Sequence, residues 1–76
     1  MKEIEKLKYI LEHYMKRAYE LADLCDNLND DKGRAMYTSE GVMCSDVLEM
    51  LSNSNYLGEC YEREKAVQEA KRKYNN

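Results

Sequence analysis

Residues 4–28 read IEKLKYILEHYMKRAYELADLCDNL, and in them Ile4, Leu7, Leu11, Tyr14, Ala18, Leu21, Cys25 and Leu28 recur at spacings of three and four without a miss. Because about 3.6 residues make one helical turn, this period lays the apolar side chains along one side of an α-helix. Sustained over more than three heptads, it predicts a helix over about 3–28, about 38 Å long at 1.5 Å per residue. Ile10, Met15, Ala22 and Leu24 widen the stripe, as a bundle helix with more than one neighbour requires.

C-terminal to this helix, residues 29–33, NDDKG, break the pattern and offer aspartates as N-caps for a second helix over about 33–51. Its seam is Tyr37, Gly41, Cys44, Leu48 and Leu51, flanked by Met36, Met43, Val47 and Met50. A turn centred near Asp31 folds the two helices into an antiparallel hairpin. Cys25 then faces Tyr37, Leu21 faces Gly41, Ala18 faces Cys44 and Leu11 faces Leu51. Glycine in mid-helix costs about 1 kcal/mol relative to alanine, so Gly41 marks a close approach by another backbone or by Leu21. The expected packing seam thus includes Leu7, Leu11, Leu21, Tyr37, Gly41 and Leu48.

Residues 52–55, SNSN, break the chain again and cap a third helix over about 56–73. Its apolar face is thin: Leu57, Cys60 or Tyr61, Val67, Ala70 and Tyr74. Such a helix must dock on the hairpin or on another subunit. Helix two is the shorter arm of the hairpin, so Ile4 and Leu7 lie past its end, to be covered by helix three folding back or across a dimer axis. The fold class is all-α, one domain over 1–76: an antiparallel helical hairpin plus a shorter third helix, completed by oligomerisation.

Composition points the same way. A chain of 76 residues without proline hides only about 60% of its unfolded surface on folding, and small domains usually add disulfides, a metal or a partner chain. Cys25, Cys44 and Cys60 are odd in number and far apart, which argues against a disulfide framework and for the reducing cytoplasm. The charged N-terminus does not read as a signal peptide, and no apolar run approaches the roughly 20 residues that span a bilayer. All seven aromatics are tyrosines, which suit half-wet surfaces.

No motif for chemistry emerges. The single histidine, His13, sits among Glu12, Lys16 and Arg17 on the polar side of its helix, where it reads as a solvent-facing side chain. The cysteine spacings do not fit a zinc site within one chain. Aligning Gly33 with the glycine of a calcium loop puts Leu28 and Lys32 at ligand positions. No phosphate loop, dinucleotide fingerprint or nucleophile elbow occurs. The chain therefore reads as no enzyme, with no cofactor and no metal. The segment 61–74 interleaves basic residues with tyrosine, and Tyr61, Arg63, Arg72, Lys73 and Tyr74 form a candidate anion site. A formal net charge of −3 disfavours nucleic acid.

Asp31-Lys32-Gly33, Tyr37-x-x-Glu40-Gly41 and the run from Val47 to Leu51 resemble the second helix of small helical accessory proteins encoded by bacteriophages and related mobile elements, over about residues 15–52. The resemblance implies a protein that blocks host defence or host machinery by binding, sometimes by sequestering a nucleotide signal within an oligomer. The expectation is a non-enzymatic inhibitor or adaptor that binds a host protein through Tyr9, Tyr19 and Met43. The alternative is a homo-oligomer that sequesters a small anion or nucleotide.

Overall fold

The computed structural model describes residues 2–75, and all its regular structure is helical: α1 (Glu3–Asn27), α2 (Asp31–Ser52) and α3 (Ser54–Tyr74). The α1–α2 hairpin and the third helix are as the periodicity predicts. The two joints between helices have local causes.

α1 ends where Asn29 enters the left-handed region at φ 58°. The Asp30 N–H donates to the Cys25 carbonyl at 2.8 Å and the Asn29 N–H to the Asp26 carbonyl at 3.1 Å. This pair of bonds is a Schellman closure, with asparagine in the place glycine usually takes. Asp30 then caps α2, its carboxylate accepting from the Gly33 N–H at 3.0 Å. The turn therefore centres on Asp30, one residue earlier than Asp31, and α2 begins at Asp31 instead of Gly33. α3 likewise starts at Ser54, ahead of the expected Tyr56, because the Asn53 side chain alone accepts from the Asn55 and Tyr56 N–H groups, at 3.0 and 3.2 Å.

The shifted turn moves the hairpin register. Cys25 approaches Gly33, Arg34 pairs with Asp26 at 3.7 Å, and the Tyr19 ring lies over Gly41. A Cβ on Gly41 would stand 2.6 Å from the Tyr19 ring. The close approach expected at this glycine is present, but Tyr19 makes it and not Leu21.

The core is built from small residues. Ala18, Ala22 and Cys25 of α1 and Gly41 of α2 are the buried positions among the described residues, and no large side chain is fully buried. Leu11, Met15, Leu21, Tyr37, Cys44, Leu48 and Leu51 are half-buried around them. The buried line on α1 is Leu11, Met15, Ala18, Ala22 and Cys25. Tyr14 and Leu28, expected in the seam, are exposed.

α3 packs on α2 alone. It does not fold back over α1, so Ile4 and Leu7 stay exposed. The three helices spread through a slab 44 × 40 × 16 Å with a radius of gyration of 16.0 Å, where a compact chain of this length would have about 11 Å.

Candidate functional site

Small residues at the seam draw α1 and α2 together and leave larger side chains standing along the rim. On one face of the hairpin this makes an open groove of about 500 Å³, walled by Tyr14, Arg17 and Leu21 of α1 and by Met36, Glu40 and Met43 of α2, with Ala18 and Cys44 on its floor. Tyr14, Met36 and Met43 are 49%, 51% and 67% exposed. The Arg17 guanidinium lies 4.8 Å from the centre of the Tyr14 ring, a cation–π contact that holds it against the groove wall.

The groove has a sequence origin that a single-stripe description of each helix conceals. Ile10, Tyr14, Arg17, Leu21, Leu24 and Leu28 follow one another at spacings of four and three, and so do Met36, Glu40, Met43, Val47 and Met50 on α2. Each helix thus carries a second seam one residue over from the first, rotated from it by about 100°. The eight-member stripe over residues 4–28 straddles both seams of α1, which is why its Tyr14 and Leu28 are exposed while Met15 and Ala22 turn inward.

The three tyrosine and methionine positions expected to bind a partner do not form one surface. Met43 stands in the groove. Tyr19 lies over Gly41, with 39% of its surface still exposed. Tyr9 projects from the outer side of α1 and stacks on His13, ring centroids 4.2 Å apart. His13 Nδ1 lies 2.9 Å from the Tyr9 carbonyl, which can only accept, so this nitrogen carries the proton and donates.

The basic and tyrosine residues of α3 also divide. Tyr61 and Arg72 share a shallow face with Lys65, whose Nζ lies 5.2 Å from the centre of the Tyr61 ring, and with Glu64 and Glu69. Arg63 is nine residues from Arg72, two and a half turns, and so leaves the helix on the opposite side. Lys73 and Tyr74 lie away from the Tyr61 face too, and all five side chains are exposed.

Where α3 leaves α2, the Tyr56 hydroxyl donates to Asp46 Oδ1 at 3.3 Å. A hydrogen bond with Cys60, burial and the Asp46 charge push the Tyr56 phenol up to about 12. Burial, followed by the nearby Asp30 carboxylate, pushes the Cys25 thiol up as well, the opposite of what a nucleophilic cysteine needs. Among the described residues no group of three or more His, Cys, Asp or Glu side chains converges as a metal site, and no helix is long and apolar enough to cross a membrane. Comparison with protein-family models, with curated proteins and with solved structures returns no match.

Proposed function

We propose that this chain is a non-enzymatic helical binding protein, an inhibitor or adaptor of the kind bacteriophages encode, and that α3 is the element it presents to a host protein. The observation that carries this reading is the isolation of that helix. From Tyr61 to Asn75 every residue is exposed, and α3 touches its own chain only through α2.

A helix of this length without tertiary contacts is marginal in water, since most helical stability in proteins comes from packing an apolar face. α3 has such a face in waiting. Tyr56, Cys60, Val67, Ala70 and Tyr74 fall on one stripe, interrupted by Arg63, with Val67 45% and Tyr74 93% exposed. An amphipathic helix of this design binds by laying its stripe in a groove of a partner. The likeness to phage accessory proteins supports a host protein as that partner.

The test is quantitative pull-down from host lysate with the full chain, with Val67→Asp and with Gln68→Asp, which puts the same charge outside the stripe. The expected result is a partner captured by the wild type and by Gln68→Asp, and lost with Val67→Asp while circular dichroism of the hairpin is unchanged. Equal capture by all three would overturn the assignment to α3, and no capture by any would overturn the binding reading itself.

A further inference from the structure

We infer that the groove face of the hairpin is a homodimer interface, in which α1 of each copy lies over α2 of the other and Arg17 pairs with Glu40 across the two-fold axis. This goes beyond the proposed function, because it concerns a different surface and stands whatever α3 binds.

The chain carries more surface than its mass requires. The chain exposes 6440 Å², whereas a folded monomer of 9.0 kDa exposes about 4,850 Å². The excess is roughly 1,600 Å² on these figures, about twice the roughly 800 Å² that each partner contributes to a standard stable interface. It is large enough for a dimer face as well as the projecting helix. The groove side supplies that face: Ile10, Tyr14, Leu21, Leu24, Met36 and Met43 are all apolar or tyrosine, and all but the half-buried Leu21 are exposed. Two hairpins stacked on these second seams give every helix of the pair two neighbours, the arrangement of a four-helix bundle.

Charge selects the geometry of the pair. Each second seam is interrupted once, by Arg17 on α1 and by Glu40 on α2, and both residues wall the same groove. The ion pairs among the described residues are Lys6 with Glu3 and Arg34 with Asp26, so neither interruption is neutralised within its own chain. A two-fold axis running parallel to the helices sets α1 over the partner's α2 at the same level, so that each Arg17 meets a Glu40 and both pairs form at once. An axis across the helices stacks α1 on α1 and sets like charge against like at this level. The pattern is self-complementary in the first arrangement and repulsive in the second. The slab shape leaves the groove face uncovered by α3.

Sedimentation equilibrium of the wild type, Arg17→Glu, Glu40→Arg and an equimolar mixture of the two variants tests this. The expected results are a wild-type dimer, association weakened roughly tenfold or more in each single variant, and recovery in the mixture. In a mixed dimer both cross-axis pairs are opposite in charge, one as in the wild type and one with its charges exchanged. Recovery shows that both variants fold. A wild-type monomer, an odd-numbered assembly, single variants that dimerise like the wild type, or a mixture no better than its components would each overturn the inference. Val67→Asp keeps the dimer, so failure here and failure of the proposed function are told apart.

Discussion

Tyr19 of α1 lies over Gly41 of α2, so close that a methyl group on the glycine would stand 2.6 Å from ring carbon Cε1. The pair is an energetic unit. Alanine at 41 gains about 1 kcal/mol of helix propensity, but only by displacing the ring. We expect Gly41→Ala to stabilise the protein by up to about 1 kcal/mol in a Tyr19→Ala background and to be neutral or destabilising with Tyr19 present. A double-mutant cycle from urea unfolding measures the coupling, at about 1 kcal/mol or more. Additive effects would show that the ring and the glycine do not depend on each other.

The Asp30 cap gives a second prediction. Its carboxylate satisfies the Gly33 N–H, and Asp30→Ala should cost about 1 kcal/mol, as loss of a good N-cap does. Asp30→Asn should retain most of the stability. Gly33 is constrained as well, since a Cβ there would lie 2.8 Å from the buried Cys25 sulfur. Chemical denaturation of the wild type and the two variants checks the order.

The base of α3 should respond to alkali. The Tyr56 phenol is raised from 10.0 to about 12 in the folded protein, chiefly by its hydrogen bond with Cys60. The folded state therefore holds this proton more tightly than the unfolded chain. The resulting stabilisation is complete below pH 10 and is lost as the pH rises toward about 12. Stability should fall more steeply over this window in the wild type than in Tyr56→Phe, as measured by denaturation at matched pH values. Parallel curves would remove Tyr56 from the account of how α3 is held.

Hydrogen exchange should divide the chain. Amides of α1 and α2 near Ala18, Ala22 and Gly41 should be the most protected, and those from Tyr61 to Tyr74 should exchange fastest among the helical residues, because nothing packs on them. Partner binding through α3 should slow that segment selectively. Uniform protection of all three helices would contradict the isolation of α3.

Much of this fold is legible in the sequence, because helix period and capping chemistry are local. Leu7, Leu11 and Leu21 announce α1, Tyr37 and Leu48 announce α2, and SNSN marks the joint. The register is harder to read. Whether a turn centres on Asp30 or Asp31 depends on Asn29 adopting a left-handed conformation, and one residue there exchanges Leu21 for Tyr19 at Gly41. The site is harder still. Arg17 and Glu40 look like ordinary solvated charges until both helices are seen to carry a second seam and the hairpin sets the two charges on one groove. Exposure, too, is a property of tertiary arrangement: the spacing in α3 shows a weak apolar stripe but not that it stands clear of α1.

Asn53, with φ −140° and ψ 103°, is the only residue between α2 and α3, so the heading of a rod of about 30 Å is governed by two torsion angles. Leverage follows from that. A change of about 20° at this joint sweeps Tyr74 through roughly 10 Å, given the helical rise, without unwinding a turn of either helix. The molecule's reach is thus steered from its narrowest point, and a substitution at Asn53 can spoil aim while leaving helix content intact.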